Sequence, residues 1–150
     1  MKLIIIDFDG PILNLTFAKQ QTMNEASQRL SLKMSKLAKL GLINYIDQIY
    51  QVERIINYRI LIHKSLTKLK ENNLINFSNS QIEEFSKAFV EFFPKHQKIS
   101  PDIKYKLEQI KNDYPLTKVC IYTSQTTKKV KEILESSKFN LQLFDKIYGS

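Results

Sequence analysis

Residues 4–10 read IIIDFDG, and no other stretch of this 150-residue chain limits its fold so tightly. The apolar run from Lys2 to Phe8 is short, nearly continuous and rich in β-branched residues. That pattern suits a central strand of a parallel sheet, covered on both faces. Gly10-Pro11 then ends it. Just before the stop, two carboxylates stand one residue apart, although buried charge is costly without a partner. The strand either opens to solvent at Asp7 and Asp9 or ends where a cation or a phosphate is to be held.

Two later segments repeat the strand pattern. Lys118 to Tyr122 (KVCIY) runs into Thr123-Ser124-Gln125, and Phe144 to Tyr148 runs into Gly149-Ser150. From about Phe17 to His96 the periodicity is instead helical: Met23, Ala26 and Leu30 recur at helix spacing, as do Ile46, Ile49, Ile56 and Ile60. Ser80 and Glu83 have the spacing of a capping box, ahead of a stripe of Ile82, Phe85, Phe89 and Phe92 that Pro94 closes. Breaks near Gly41, Asn72-Asn73 and Asn76 to Asn79 predict three or four helices packed through their aromatic stripes. Ser100-Pro101-Asp102 starts a further helix with Ile103, Leu107 and Ile110 inward, stopped by Pro115. Another follows Gln125, with Val130, Ile133 and Leu134 inward. Strands alternating with helices predict an α/β fold with a Rossmann-like parallel sheet and right-handed crossovers. The helical block is too long for one crossover and reads as an insertion.

The net charge of +8 raises the question of nucleic acid. Only Arg29, Arg54 and Arg59 are arginines, however, and the lysines are dispersed, which describes solvated helix faces rather than a phosphate-reading stripe. No specific nucleic-acid partner is expected, only a weak, salt-sensitive attraction to polyanions. Cys120, the single cysteine, lies in an apolar run and reads as a small buried residue of a protein kept reduced. His63 and His96 lack partners at zinc-ligand spacing. No apolar stretch is long enough to span a membrane, and Asp7 interrupts the only N-terminal apolar run, so a cytoplasmic location is expected.

Ligands of open parallel sheets bind beyond the carboxyl ends of the strands. Residues two apart in an extended segment share a side, so Asp7 and Asp9 face one small volume. Their repulsion lets one carboxyl keep a proton more easily unless a cation lies between them. One acid can then act as nucleophile or metal ligand while the other moves protons. Gly10 allows close backbone approach. Thr123 and the amide of Ser124 offer neutral donors to a phosphate oxygen; without a ligand, Thr123 reads as a helix N-cap or turn residue.

IIIDFDGPI resembles the first motif of the haloacid-dehalogenase-like (HAD) phosphohydrolases, and KVCIYTSQTTKKVKEIL resembles their second. FDKIYGS is similar to the strand that follows, and the inserted helices resemble the cap of phosphoglycolate-phosphatase-like members. The resemblance implies a core of residues 1–13 and 99–150 with a helical cap over 14–98. It implies an Mg²⁺-dependent phosphatase of a small phosphorylated metabolite. Asp7 would attack phosphorus to form an aspartyl-phosphate, and Asp9 would protonate the leaving oxygen and then activate water. Mg²⁺ would bind the Asp7 carboxylate and the Asp9 main-chain carbonyl, while Thr123, Ser124 and Gly10 would hold the phosphoryl group. Asn14 stands where many relatives have an acid. The family's motif lysine and its later strand ending in acids do not occur before Ser150; Lys128 and Lys129 are misplaced for it, and Asp113 and Asp145 read as isolated. A core incomplete at its C-terminus, with an unpaired sheet edge, is therefore expected. The alternative is a catalytically weak binding or regulatory protein on the same fold, with a basic surface.

Overall fold

The computed structural model describes residues 2–55 and 57–150, among which three strands and six α-helices form. In chain order they are β1 (Leu3–Asp7), α1 (Leu15–Arg29), α2 (Lys36–Glu53), α3 (Tyr58–Glu71), α4 (Asn79–His96), α5 (Pro101–Asp113), β2 (Lys118–Tyr122), α6 (Thr127–Ser136) and β3 (Lys146–Tyr148). The chain divides into two compact units, Met1–Leu15 with Gln97–Ser150, and Thr16–His96.

In the first unit the strands are all parallel in the order β1-β2-β3. Ile4 lies beside Val119, Ile6 beside Ile121, and Ile121 beside Ile147. These residues point into a core shared with Leu107 of α5 and with Val130, Ile133 and Leu134 of α6. α5 and α6 both pack into that core and so lie on the same face of the sheet. On the opposite face Leu3 is 59% exposed, Ile5 63% and Tyr122 68%, while Cys120 beside Ile5 is buried. Among the described residues β1 lies at one edge of the sheet with that face largely open, not as the doubly covered central strand that its apolar run predicts. β2 takes the centre, and its Cys120 is buried as expected.

β3 is shorter than Phe144 to Tyr148. Phe144 follows the 3₁₀ turn Leu141–Leu143 and is buried against Phe139, their ring centroids 5.6 Å apart. Asp145 is not isolated. Its Oδ2 accepts from the Val119 N–H at 2.8 Å and from Lys111 Nζ at 2.7 Å, fastening the approach to β3 onto β2. Those two bonds, the lysine's first, hold its carboxyl below the ordinary range.

In the second unit four helices form, and each break has a local cause. Ser35 caps α2 by accepting from the Ala38 N–H at 3.1 Å, and Asn57 caps α3 by accepting from Arg59 at 3.0 Å. The capping box of α4 is not Ser80 with Glu83. Ser78 Oγ accepts from the Gln81 N–H at 3.1 Å and Gln81 Oε1 from the Ser78 N–H at 2.8 Å, one turn-start earlier. Glu83 instead pairs with Arg59. Pro94 lies inside the last turn of α4, which runs on to His96, since one missing N–H removes one rung without undoing a turn already formed. Gly41 is no break. It lies within α2, where a Cβ would come within 2.8 Å of Leu69 Cδ2, so the glycine permits close helix packing.

Phe85 and Phe89 are fully buried, as the stripe implied, and Phe93 stacks between Phe89 at 5.5 Å and Tyr58 at 4.9 Å. Ile46 and Ile49 are buried while Ile60 is largely exposed; Ile56 lies outside the described residues. No helix among the described residues is long and apolar enough to cross a membrane.

Candidate active site

β1 and β2 run parallel, so their carboxyl ends meet at one edge of the sheet. Asp7 closes β1 and pairs in register with Tyr122, the last residue of β2. After Asp7 the chain turns. The Asp9 N–H reaches back toward Asp7 Oδ1 at 3.3 Å, Phe8 drops into the core, and the Leu13 N–H bonds to the Phe8 carbonyl at 3.0 Å. Gly10 occupies this turn at a φ of 107°, a conformation side chains rarely adopt, with open space where a Cβ would stand.

On the neighbouring strand, the Thr123 N–H donates to the Tyr148 carbonyl at 3.0 Å, carrying the ladder one residue past β2. Thr123 is buried, at 6% exposure. Its Oγ1 accepts from the Gln125 N–H at 3.1 Å, and the hydroxyl lies near enough to the Asp9 carboxyl to favour its ionised form. It does not cap α6: that role falls to Thr126, whose hydroxyl accepts from the Lys129 N–H at 3.3 Å. Gln125 Nε2 donates to Asp9 Oδ1. Asp7, Asp9, Thr123 and Gly10 thus share one sheet edge, and Ser124 lies in the same loop with its carbonyl taken by Ser150 Oγ at 2.7 Å.

The two acids are not equivalent. Asp7 is exposed, while Asp9 is half-buried and its carboxyl is held above the ordinary range. Burial is the main cause; the Gln125 amide opposes it, the charge of Asp7 adds to the rise, and Thr123 opposes it again. Mutual repulsion, expected from the spacing of the two acids, adds to this asymmetry but ranks after burial and after the Gln125 amide. A glutamine three residues beyond β2 carries no signal in the sequence until the loop folds back on Asp9.

No family model matches the sequence, and no curated protein is detectably similar to it. Solved structures do match. The HAD-hydrolase YfnB from Bacillus subtilis, solved bound to magnesium, superposes with a TM-score of 0.69 at 10% identity, over 99% of this chain and 65% of its own. A predicted phosphoglycolate phosphatase from Haemophilus somnus gives 0.58 at 18% identity, over 99% and 62%. A haloacid dehalogenase-like hydrolase from Streptococcus pneumoniae gives 0.54 at 16% identity, over 100% and 61%. This chain has the HAD-like fold. It spans roughly three-fifths to two-thirds of the length of those HAD-like structures.

The Asp7 carboxylate and the main-chain carbonyl of Asp9 are oxygen donors at this sheet edge, the donor type that suits magnesium, which is commonly held by one or two carboxylates together with substrate phosphate. No group of three or more His, Cys, Asp or Glu residues clusters among the described residues. His96 lies with Glu25, 2.6 Å away, in the helical unit.

Proposed function

We propose that the chain carries the nucleophile, the proton-transfer group and the phosphate loop of an Mg²⁺-dependent phosphatase acting on a small phosphorylated metabolite. The observation that supports it best is the unequal acid pair joined to Thr123 at one sheet edge: an exposed Asp7 beside an Asp9 that burial inclines to hold its proton. In this reading an Asp7 carboxylate oxygen attacks phosphorus and the bond from phosphorus to the leaving oxygen breaks. Asp9 gives its proton to that oxygen. Asp9, now ionised, takes a proton from water as the water attacks the aspartyl-phosphate, releasing phosphate and restoring Asp7. Thr123 and the amides of its loop, Ser124 included, hold the phosphoryl oxygens, and Gly10 keeps the turn beside them open. Asp7 and the Asp9 carbonyl would hold Mg²⁺, which when bound shields negative charge at the phosphoryl group. The helical insertion takes the part of the cap and decides which substrate is accepted.

Turnover of a generic aryl phosphate with and without Mg²⁺ tests the reading. Hydrolysis that Asp7→Asn abolishes, with a phosphoryl group trapped on the acid-quenched wild type only, is the expected result. Hydrolysis unchanged in Asp7→Asn overturns it. One observation favours a second reading, a HAD-fold binding protein of weak activity: the small number of acids near Asp7 among the described residues. That reading expects orthophosphate to bind with Mg²⁺ while no ester turns over.

A further inference from the structure

Gly149 and Ser150, just past β3, have no role in the proposed chemistry, yet they grip the phosphate loop. The Ser150 N–H donates to the Gln125 carbonyl at 3.1 Å, and Ser150 Oγ donates to the Ser124 carbonyl at 2.7 Å. One residue thereby holds two successive carbonyls. The loop peptides are trans, so the N–H of each peptide points opposite to its carbonyl. With the Ser124 and Gln125 carbonyls drawn toward Ser150, the N–H groups of Gln125 and Thr126 are turned away from it. The Gln125 N–H accordingly meets Thr123 Oγ1, on the side where Asp9 lies.

Gly149 is what lets Ser150 come so near. A Cβ there would lie 2.6 Å from Thr127 N and nearer still to the Gln125 carbonyl oxygen, both main-chain atoms that cannot swing aside. Any side chain at 149 must push the loop between Thr123 and α6.

We propose that Gly149 and Ser150 are positioning residues for the reaction: they fix the peptide planes of residues 124–126 so that the loop's N–H groups face an incoming phosphoryl group. Successive amides converging at the start of a helix form an anion cradle only while the planes stay so turned. Without Ser150 the two carbonyls are free to rotate toward the anion, where they repel it. The proposal rests on the phosphatase reading, since it takes Thr123 and its loop as the phosphate site.

The test is a titration of ¹⁵N-labelled protein with orthophosphate in the presence of Mg²⁺, following the amide signals of Gln125 and Thr126. In the wild type both signals move on binding. Ser150→Ala is expected to bind about 3- to 10-fold more weakly, with smaller shifts at those two amides and a melting temperature within about 2 °C of wild type. Ser150→Thr, which keeps the hydroxyl, restores binding, and Gly149→Ala weakens it at least as much as Ser150→Ala. Wild-type affinity in Ser150→Ala, or equal weakening in Ser150→Thr, overturns the clamp while leaving the phosphatase reading intact. If the wild type does not bind orthophosphate, or Thr123→Val binds it as well as wild type, the phosphate site itself is refuted and the clamp with it.

Discussion

Thr123→Val separates the hydroxyl of Thr123 from its shape. The two side chains have nearly the same volume, and the site is buried, so packing against neighbours is kept. Two things are lost. The Gln125 N–H, 3.1 Å from Oγ1 and partly buried, loses its acceptor, and an ordinary hydrogen bond contributes about 0.5–1.5 kcal/mol. For a chain of this length that lowers the melting temperature by about 1 to 6 °C. A phosphate oxygen also loses a neutral donor. A hydrogen bond to a charged group contributes about 1.5–3 kcal/mol, so orthophosphate affinity should fall about 10- to 150-fold. Thr123→Ser keeps the oxygen and loses a methyl, at about 1 kcal/mol of stability, and should bind phosphate nearly as wild type does. Calorimetric titration with Mg²⁺ present, well below the melting temperature of each variant, gives the comparison. Unchanged phosphate affinity in Thr123→Val would refute the reasoning, as would a Ser variant as weak as the Val one.

Removing the observed helix cap by Ser78→Ala should cost about 0.5–2 kcal/mol in chemical denaturation, whereas Ser80→Ala should stay within about 0.5 kcal/mol; the reverse order would restore the box read from sequence. Ile121→Ala in the covered sheet face should cost about 2–5 kcal/mol, while Ile5→Ser on the largely open face should be close to neutral, both measured by urea unfolding. Asp145 has a folded pKa below its ordinary value of 3.8, so its contribution to stability is complete above that value and is lost as pH falls through the lower folded one. The melting-temperature gap between wild type and Asp145→Asn should therefore be steady from neutral pH down to about 5 and close under stronger acid. A gap that widened with acid would contradict the assignment.

The capping motifs and the glycine show where sequence periodicity misleads. Ser78 and Gln81 have the same three-residue spacing as Ser80 and Glu83, and only the position of the first helical turn chooses between them. Gly41 looks like a break because glycine weakens isolated helices, but Leu69 of another helix needs the space its missing side chain leaves. At the candidate site, Asp7, Asp9, Gly10 and Thr123 were legible because their polar character breaks hydrophobic strands at a fixed place. Gln125, Gly149 and Ser150 were not, since each acts through a neighbour distant in sequence.

What the sequence determined by itself was the set of elements and their order: β-branched runs make strands, 3.6-residue stripes make helices, and strands alternating regularly with helices favour a parallel sheet. Those are local preferences, and a chain carries them wherever it goes. Only the tertiary structure decided that β1 lies at the edge with one face largely open, that burial ahead of repulsion raises the Asp9 carboxyl, and that residues 149 and 150 return to hold the loop after Thr123. Each of these depends on which segments are brought side by side, and proximity in space is the one property that no single stretch of residues encodes.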